Sequence, residues 1–484
     1  MIANRILFRL VLLTAVFLLI LCNSGSAQKI WTLEDCINYA LENNLDINKQ
    51  LLTVETNRAG LLESGLNMLP NLNAGGNNTW NFGQTIDQYT NTFATNTVRS
   101  NNFYISSNVT IYSGLQKFNT FKANQINLLA SKFDLDVLKN SISLSVALFY
   151  LDILFNRESL DVAQEQLRIT LTQVDRMQKL VDAGSSAKGD LLNIEAQKAG
   201  EELAVVEAKN RLYISYLSLQ QLIDFPVAPD FQIEKPNLKP VQPPKEKITA
   251  EIIFEHAVKS RPEIKSAELR VELAQKQLAI ARGYVQPTLL LGGSWGTGYS
   301  GVAREIDPNV PSVTKMEPIG ITQISRDTVL MPQTSYNYRL KSFGDQLKTN
   351  NNQSVGFTLN IPIFNGWSGR TRIYKAKIQK SQAELSLGIT TRDLRKLIEQ
   401  SYADAVAALQ KYNASGDQVK ARTEAFKYAQ QKFDVGVMTA FDYNTSKKDL
   451  TKSESDLLQA KFSFIFKTTI LDFYMGNPIR IDRE

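Results

Sequence analysis

The sequence predicts an α+β protein assembled from two copies of one structural unit. Three observations predict it. An internal repeat spans most of the chain, four short amphipathic strands fall at duplicated positions, and two stretches almost free of helix breakers are long enough for very long helices.

The repeat sets the order of the elements. Adding 217 to a first-half number reaches an equivalent second-half residue: Thr32 and Thr249, Ala40 and Ala257, Ile47 and Ile264, Pro70 and Pro287, Gly75-Gly76 and Gly292-Gly293. Further along the offset becomes 252, pairing Ile111-Tyr112-Ser113-Gly114 with Ile363-Phe364-Asn365-Gly366, and Asp182, Gly184 and Asp190 with Asp434, Gly436 and Asp442. The change of 35 marks one insertion in the second half, between Gly301 and Asn352. The resulting division is a leader at 1–27, a first repeat at 28–223, a proline-rich linker at 224–247, a second repeat at 248–476 and a tail at 477–484. Each repeat reads as a helix, two strands and a long helical hairpin.

The leader has the pattern of a secretory signal: Arg5 and Arg9, an apolar run from Leu10 to Leu21, then Gly25 and Ala27 before a cut ahead of Gln28. The rival reading is a lipoprotein anchored at Cys22, whose signal wants a small residue where Leu21 stands. Without the leader one cysteine remains, Cys36, read as a small core hydrophobe. The chain has one histidine, so a zinc or copper centre has no ligand set, and no cofactor is predicted. The formal charge of +6, mixed along 484 residues, gives no basic stripe and no nucleic-acid partner. After the leader no run of consecutive apolar residues reads as a transmembrane helix, so any membrane passage requires a closed barrel.

The first helix of each repeat is predicted over Thr32 to Met68 and over Thr249 to Gly283. The strands follow. Ala74, Gly76, Trp80 and Phe82 alternate with Asn73, Asn77, Thr79 and Asn81. Phe103, Ile105, Val109 and Ile111 oppose Tyr104, Ser106, Asn108 and Thr110. Leu289, Leu291 and Trp295 share a face, as do Val355, Phe357, Leu359, Ile361 and Ile363. Each run is close to the ~9–11 residues of a tilted membrane strand, with aromatics near its ends. Four strands cannot close a membrane barrel, whose minimum is about eight. Either the chain forms a small soluble sandwich, or several chains pool their strands.

Leu115 to Ala183 holds no glycine or proline, and Trp367 to Val435 holds no proline. At ~1.5 Å per residue each spans roughly 100 Å. Leu128, Leu135, Leu138, Ile142, Val146, Phe149 and Ile153 recur at spacings of three, four and seven, a packing stripe. Gly184 and Gly436 then reverse the chain, with Thr439 as N-cap and Asp442 in the first turn of the returning helix.

Leader, duplicated halves, two strands per half and very long helices together resemble the TolC family of outer-membrane efflux proteins. The most specific matches are the strand-to-helix junction Ile361-Pro362-Ile363-Phe364-Asn365-Gly366-Trp367-Ser368-Gly369, the glycine-x5-aspartate turns, and Phe473-Tyr474-Met475-Gly476-Asn477-Pro478. The resemblance implies a homotrimer whose protomers each give four strands to one 12-stranded outer-membrane β-barrel, continued by a periplasmic α-helical barrel. It places a belt near 224–247 and the tail.

The resemblance also implies partners: a periplasmic membrane-fusion adaptor docked on the turns at Gly184, Gly436 and Thr439, an inner-membrane transporter, and outer-membrane lipid. It implies a periplasmic gate at Asp442, Thr445, Asp190, Phe433 and Met438. In the family's best-known member two aspartates line the constriction; here the first position is Asp442 and the second holds Thr445. That member closes its tip through an aspartate, a tyrosine and an arginine; here these positions are Asp190, Phe433 and Met438. Packing of Phe433 and Met438 is the expected substitute. The function implied is non-enzymatic: an outer-membrane efflux or export channel. The alternatives are the outer-membrane component of type I protein secretion and a periplasmic helical scaffold without transport.

Overall fold

The computed structural model describes residues 30–94, 97–228, 230–236, 249–477 and 479. The leader with Cys22, residues 229 and 237–247 of the linker, and residues 478 and 480–484 of the tail lie outside the described residues.

The first repeat runs β1 (Ile30–Trp31), α1 (Leu33–Asn43), α2 (Leu45–Leu66), β2 (Asn73–Asn81), β3 (Thr85–Ile86), β4 (Phe93–Ala94), β5 (Val98–Ser113), α3 (Gln116–Asp182) and α4 (Lys188–Leu222). A short β6 (Gln232–Ile233) follows. The second repeat runs α5 (Ala250–Ser260), α6 (Pro262–Gly283), β7 (Thr288–Ser300), β8 (Arg304–Ile306), β9 (Val313–Ile321), β10 (Thr328–Ser335), β11 (Tyr338–Leu340), α7 (Phe343–Thr349), β12 (Asn352–Asn360), α8 (Ser368–Asp434) and α9 (Ala440–Tyr474).

In the helices the duplication holds to the residue. Helices α1 and α2 have 11 and 22 residues, as do α5 and α6, at the offset of 217. Helices α3 and α4 have 67 and 35 residues, as do α8 and α9, at the offset of 252. Thr32 and Thr249 both cap their helices, accepting from the backbone N–H groups of Asp35 and Ile252.

The predicted single helix of each half is in fact broken. In the first, Asn44 is extended, and its Oδ1 accepts from the N–H groups of Asp46 and Ile47, restarting the helix. In the second, Arg261 is extended because the ring of Pro262 disfavours the helical conformation before it.

Two compact units form, and each draws on both repeats. The first comprises residues up to Asn57, 127–271 and from Gln382 onward. Two of its cores are copies of one another. Cys36, Ala40, Ile47, Ile142 and Val146 in one correspond, at the same two offsets, to Ile253, Ala257, Ile264, Leu394 and Ile398 in the other. Against the sequence reading, α3 contains an 18-residue window long and apolar enough to cross a membrane, by length and composition. Helix α3 also supplies Val146, Tyr150, Ile153 and Leu154 to the first core, so packing within the protomer covers part of that window. Cys36 is buried there, as expected.

The second unit comprises 58–126 and 272–381. Its centre is a four-stranded antiparallel sheet in the order β12-β7-β5-β2, so the repeats meet at the β5–β7 pair. The insertion folds as well. Strands β8 and β11 pair, β9 and β10 form a ribbon, and α7 is tied to β7 by Gln346, which bonds both backbone groups of Ser300.

Candidate channel wall and tip

The sheet register tests the strand faces. Directly paired residues point to the same side. Phe357 lies opposite Leu291, which lies opposite Val109. Trp295 lies opposite Ile105, which lies opposite Ala74. The other face carries Asn77 opposite Asn102, Ser106 opposite Ser294, which lies opposite Ser354, and Thr110 opposite Leu290, which lies opposite Thr358. The four strands thus align one apolar face and one mostly polar face. A bulge between Thr110 and Tyr112 sets Tyr112, not Ile111, opposite Leu289.

Val355 and Phe357 are 81% and 68% exposed in the protomer. Burying side chains of this size is worth ~1.5–3 kcal/mol each. Strands β2 and β12 each pair on one side only. A wall with lipid-type and water-type faces and two open edges is a sector of a larger closed barrel.

The tip lies in the first unit. Helix α3 ends in a Schellman motif: Ser185 N donates to Leu180 O and Gly184 N to Val181 O, with Gly184 at φ 73°. Helix α8 ends identically, through Val437 N to Lys432 O and Gly436 N to Phe433 O, with Gly436 at φ 76°. Thr439 is the N-cap of α9, accepting from Asp442 N and bonding the Asp442 carboxylate at 2.7 Å. Asp442 and Thr445 are exposed, and Thr445 Oγ1 bonds back to Phe441 O.

Asp190 accepts from Ser186 Oγ at 3.2 Å, within its own turn. Phe433 is brought to the first hairpin. It packs on a cluster of Met177, Leu191 and Ile194, and its ring stacks on Tyr443 at 4.6 Å. Met438 is half-buried and lies outside that cluster.

Three contacts between the hairpins were missed in the sequence. Arg176 of α3 pairs with Asp434 of α8. Gln173 donates to the hydroxyl of Tyr443, whose pKa burial pushes up, with Asp434 adding to the rise and Arg176 opposing it. Lys447 of α9 is 3% exposed, and its Nζ donates to Gln166 O and Thr170 Oγ1 of α3 and to Glu201 Oε1 of α4. Burial lowers its pKa, and Glu201 partly offsets this. Tyr443, Lys447 and Leu450 share a helix face at spacings of four and three, the signal that could have flagged this lysine as inward.

A two-faced wall joined in sequence to paired 67-residue helices defines a trimeric outer-membrane channel protein, with four strands per copy and a helical barrel. The family model "Outer membrane efflux protein" matches residues 36–223 and 253–476, and the chain belongs to that family. It is accordingly a non-enzymatic outer-membrane efflux protein. Outer membrane efflux protein BepC of Brucella suis biovar 1 (strain 1330) is 25% identical over 122 residues, 25% of this chain. That match spans 27% of the relative's length.

Solved structures share the fold over nearly the whole chain. The outer membrane protein VceC of Vibrio cholerae aligns at TM-score 0.73 and 15% identity, covering 93% of this chain and 97% of that one. The open state of the MtrE outer membrane channel of Neisseria gonorrhoeae aligns at 0.71 and 17%, covering 93% and 90%. The CmeC outer membrane channel of Campylobacter jejuni aligns at 0.69 and 15%, covering 93% and 87%.

Proposed function

We propose that the chain is the outer-membrane conduit of a tripartite assembly, receiving cargo from an inner-membrane transporter through a periplasmic adaptor docked on the turns at Gly184 and Gly436–Thr439. The sheet carries this reading: its apolar face suits lipid, and its serine-, threonine-, asparagine- and glycine-lined face suits a water-filled lumen. Such a wall offers cargo no binding site, so energy and selection come from the partners. The leader exports the chain. Heat-modifiable trimers in outer-membrane fractions, with cargo retained in a deletion strain, are the expected results. Monomers free of β signal in detergent extracts would refute the reading.

At the tip, Asp442 is the acidic gate residue and Thr445 leaves the second position uncharged. Three carboxylates then converge on the axis, and fewer charges hold multivalent cations less tightly. Asp442→Asn is expected to abolish block by trivalent cations in planar bilayers; block of undiminished strength would remove Asp442 from the constriction.

Asp190 has its hydrogen bond within its own turn, and neither Phe433 nor Met438 offers it a charged or hydroxyl partner. Asp190→Ala is therefore expected to leave resting conductance nearly unchanged. A large rise would show that the carboxylate holds the tip shut.

A further inference from the structure

We propose that the β9–β10 ribbon of each copy packs against the β2–β5 loop of the next copy at the barrel mouth. The proposal rests on the trimeric channel reading. The ribbon lies in the second-half insertion, which has no counterpart in the first half, and its two strands pair only with each other. Its register makes it two-faced. Met316 lies opposite Pro332 and Pro318 opposite Leu330 on one side. Lys315 opposite Gln333 and Glu317 opposite Met331 occupy the other, with Val313 and Val329 towards its ends, so the charged residues lie on that side only. Met316 and Leu330 are largely exposed in the protomer. An isolated two-stranded hairpin is marginally stable in water, so this face needs a cover.

The strand order names the cover. With β12-β7-β5-β2 in every copy, a closed ring sets β12 of one copy beside β2 of the next. The ribbon leaves the sheet between β7 and β12, at that seam. Across the seam is the next copy's β2–β5 loop, where Phe82, Ile86 and Phe93 are exposed. Both patches are apolar and exposed; the loop that carries the second is anchored to its own sheet through Asp87, which accepts from Ser300 Oγ of β7, and leaves these three side chains facing outward.

Lengths agree. Twelve strands at ~4.8 Å spacing and ~40° tilt close at a radius of roughly 12 Å, setting equivalent points on adjacent copies roughly 21 Å apart. A nine-residue strand at ~3.3 Å per residue reaches about 30 Å. The contact is the same on every copy and closes with the ring.

The test uses the full chain purified from outer membranes. Leu330→Cys combined with Phe93→Cys, bridged by a short bis-maleimide, is expected to give covalent trimers on heated denaturing gels, with neither single variant doing so. Met316→Asp with Leu330→Asp is expected to lower the temperature at which the trimer dissociates. A trimeric wild type with no bridging and an unchanged dissociation temperature for the aspartate variant overturns the proposal. That result would assign the apolar face to another surface molecule. A wild type that never trimerises overturns the channel reading instead.

Discussion

Lys447→Ala is expected to destabilise the helical unit by ~3–5 kcal/mol per copy, the range for removing one partner of a buried ion pair. The lysine joins α9 to both helices of the first hairpin, through Gln166 O, Thr170 and Glu201. Without it, the Glu201 carboxylate is left facing a pocket that also contains the buried Thr170. Glu201 keeps some solvent access, so the lower end of the range applies. Replacing both groups, as Lys447→Met with Glu201→Leu, removes the charges together and is expected to restore most of the loss. Thermal unfolding followed by circular dichroism measures both. A Lys447→Ala protein that melts with the wild type would sink this account.

The same pair gives a pH prediction. Burial holds the Lys447 pKa below 10.5, so the unfolded chain binds this proton more readily than the folded one. The cost of carrying the buried charge is therefore present in full at neutral pH. It is relieved as pH rises through the depressed value towards 10.5. Relative to Lys447→Met, the wild type is expected to gain stability with pH in that window. An unchanged difference would show that the ammonium is solvated.

Much of this architecture was legible because it is written twice. Proline-free runs, glycine turns and alternating strands at two fixed offsets set helix and strand positions to within a few residues. The unread parts have physical reasons. The break at Asn44 depends on a side chain capping its own following turn, where a helical pattern continues on both sides. The bulge at Ile111 depends on the partner strand's register, which alternation in one strand does not contain. Lys447 sits at an inward position, but its acceptors come from helices nearly 250 or more residues away in sequence. At the tip, Phe433 stacks on Tyr443 and packs on the Leu191 cluster, contacts whose partners lie on other helices and leave no mark in the local pattern.

Phe357→Arg and Thr358→Arg, adjacent in β12, are expected to have opposite consequences. Phe357 shares its face with Leu291 and Val109, and Thr358 shares the other with Thr110. Phe357 lies near the middle of the strand, away from the rims where a long cation can snorkel. An arginine on the lipid face at the bilayer midplane costs ~2–4 kcal/mol, and the trimer pays it three times. Phe357→Arg should therefore fail to give heat-modifiable trimers in outer-membrane fractions. Thr358→Arg should assemble, place three guanidinium groups in the lumen, and shift ion selectivity towards anions in planar bilayers. Equal assembly of both variants would mean that neither face meets lipid. Loss of Thr358→Arg alone would mean that the sheet meets lipid with its polar face, and would overturn the assignment of the two faces.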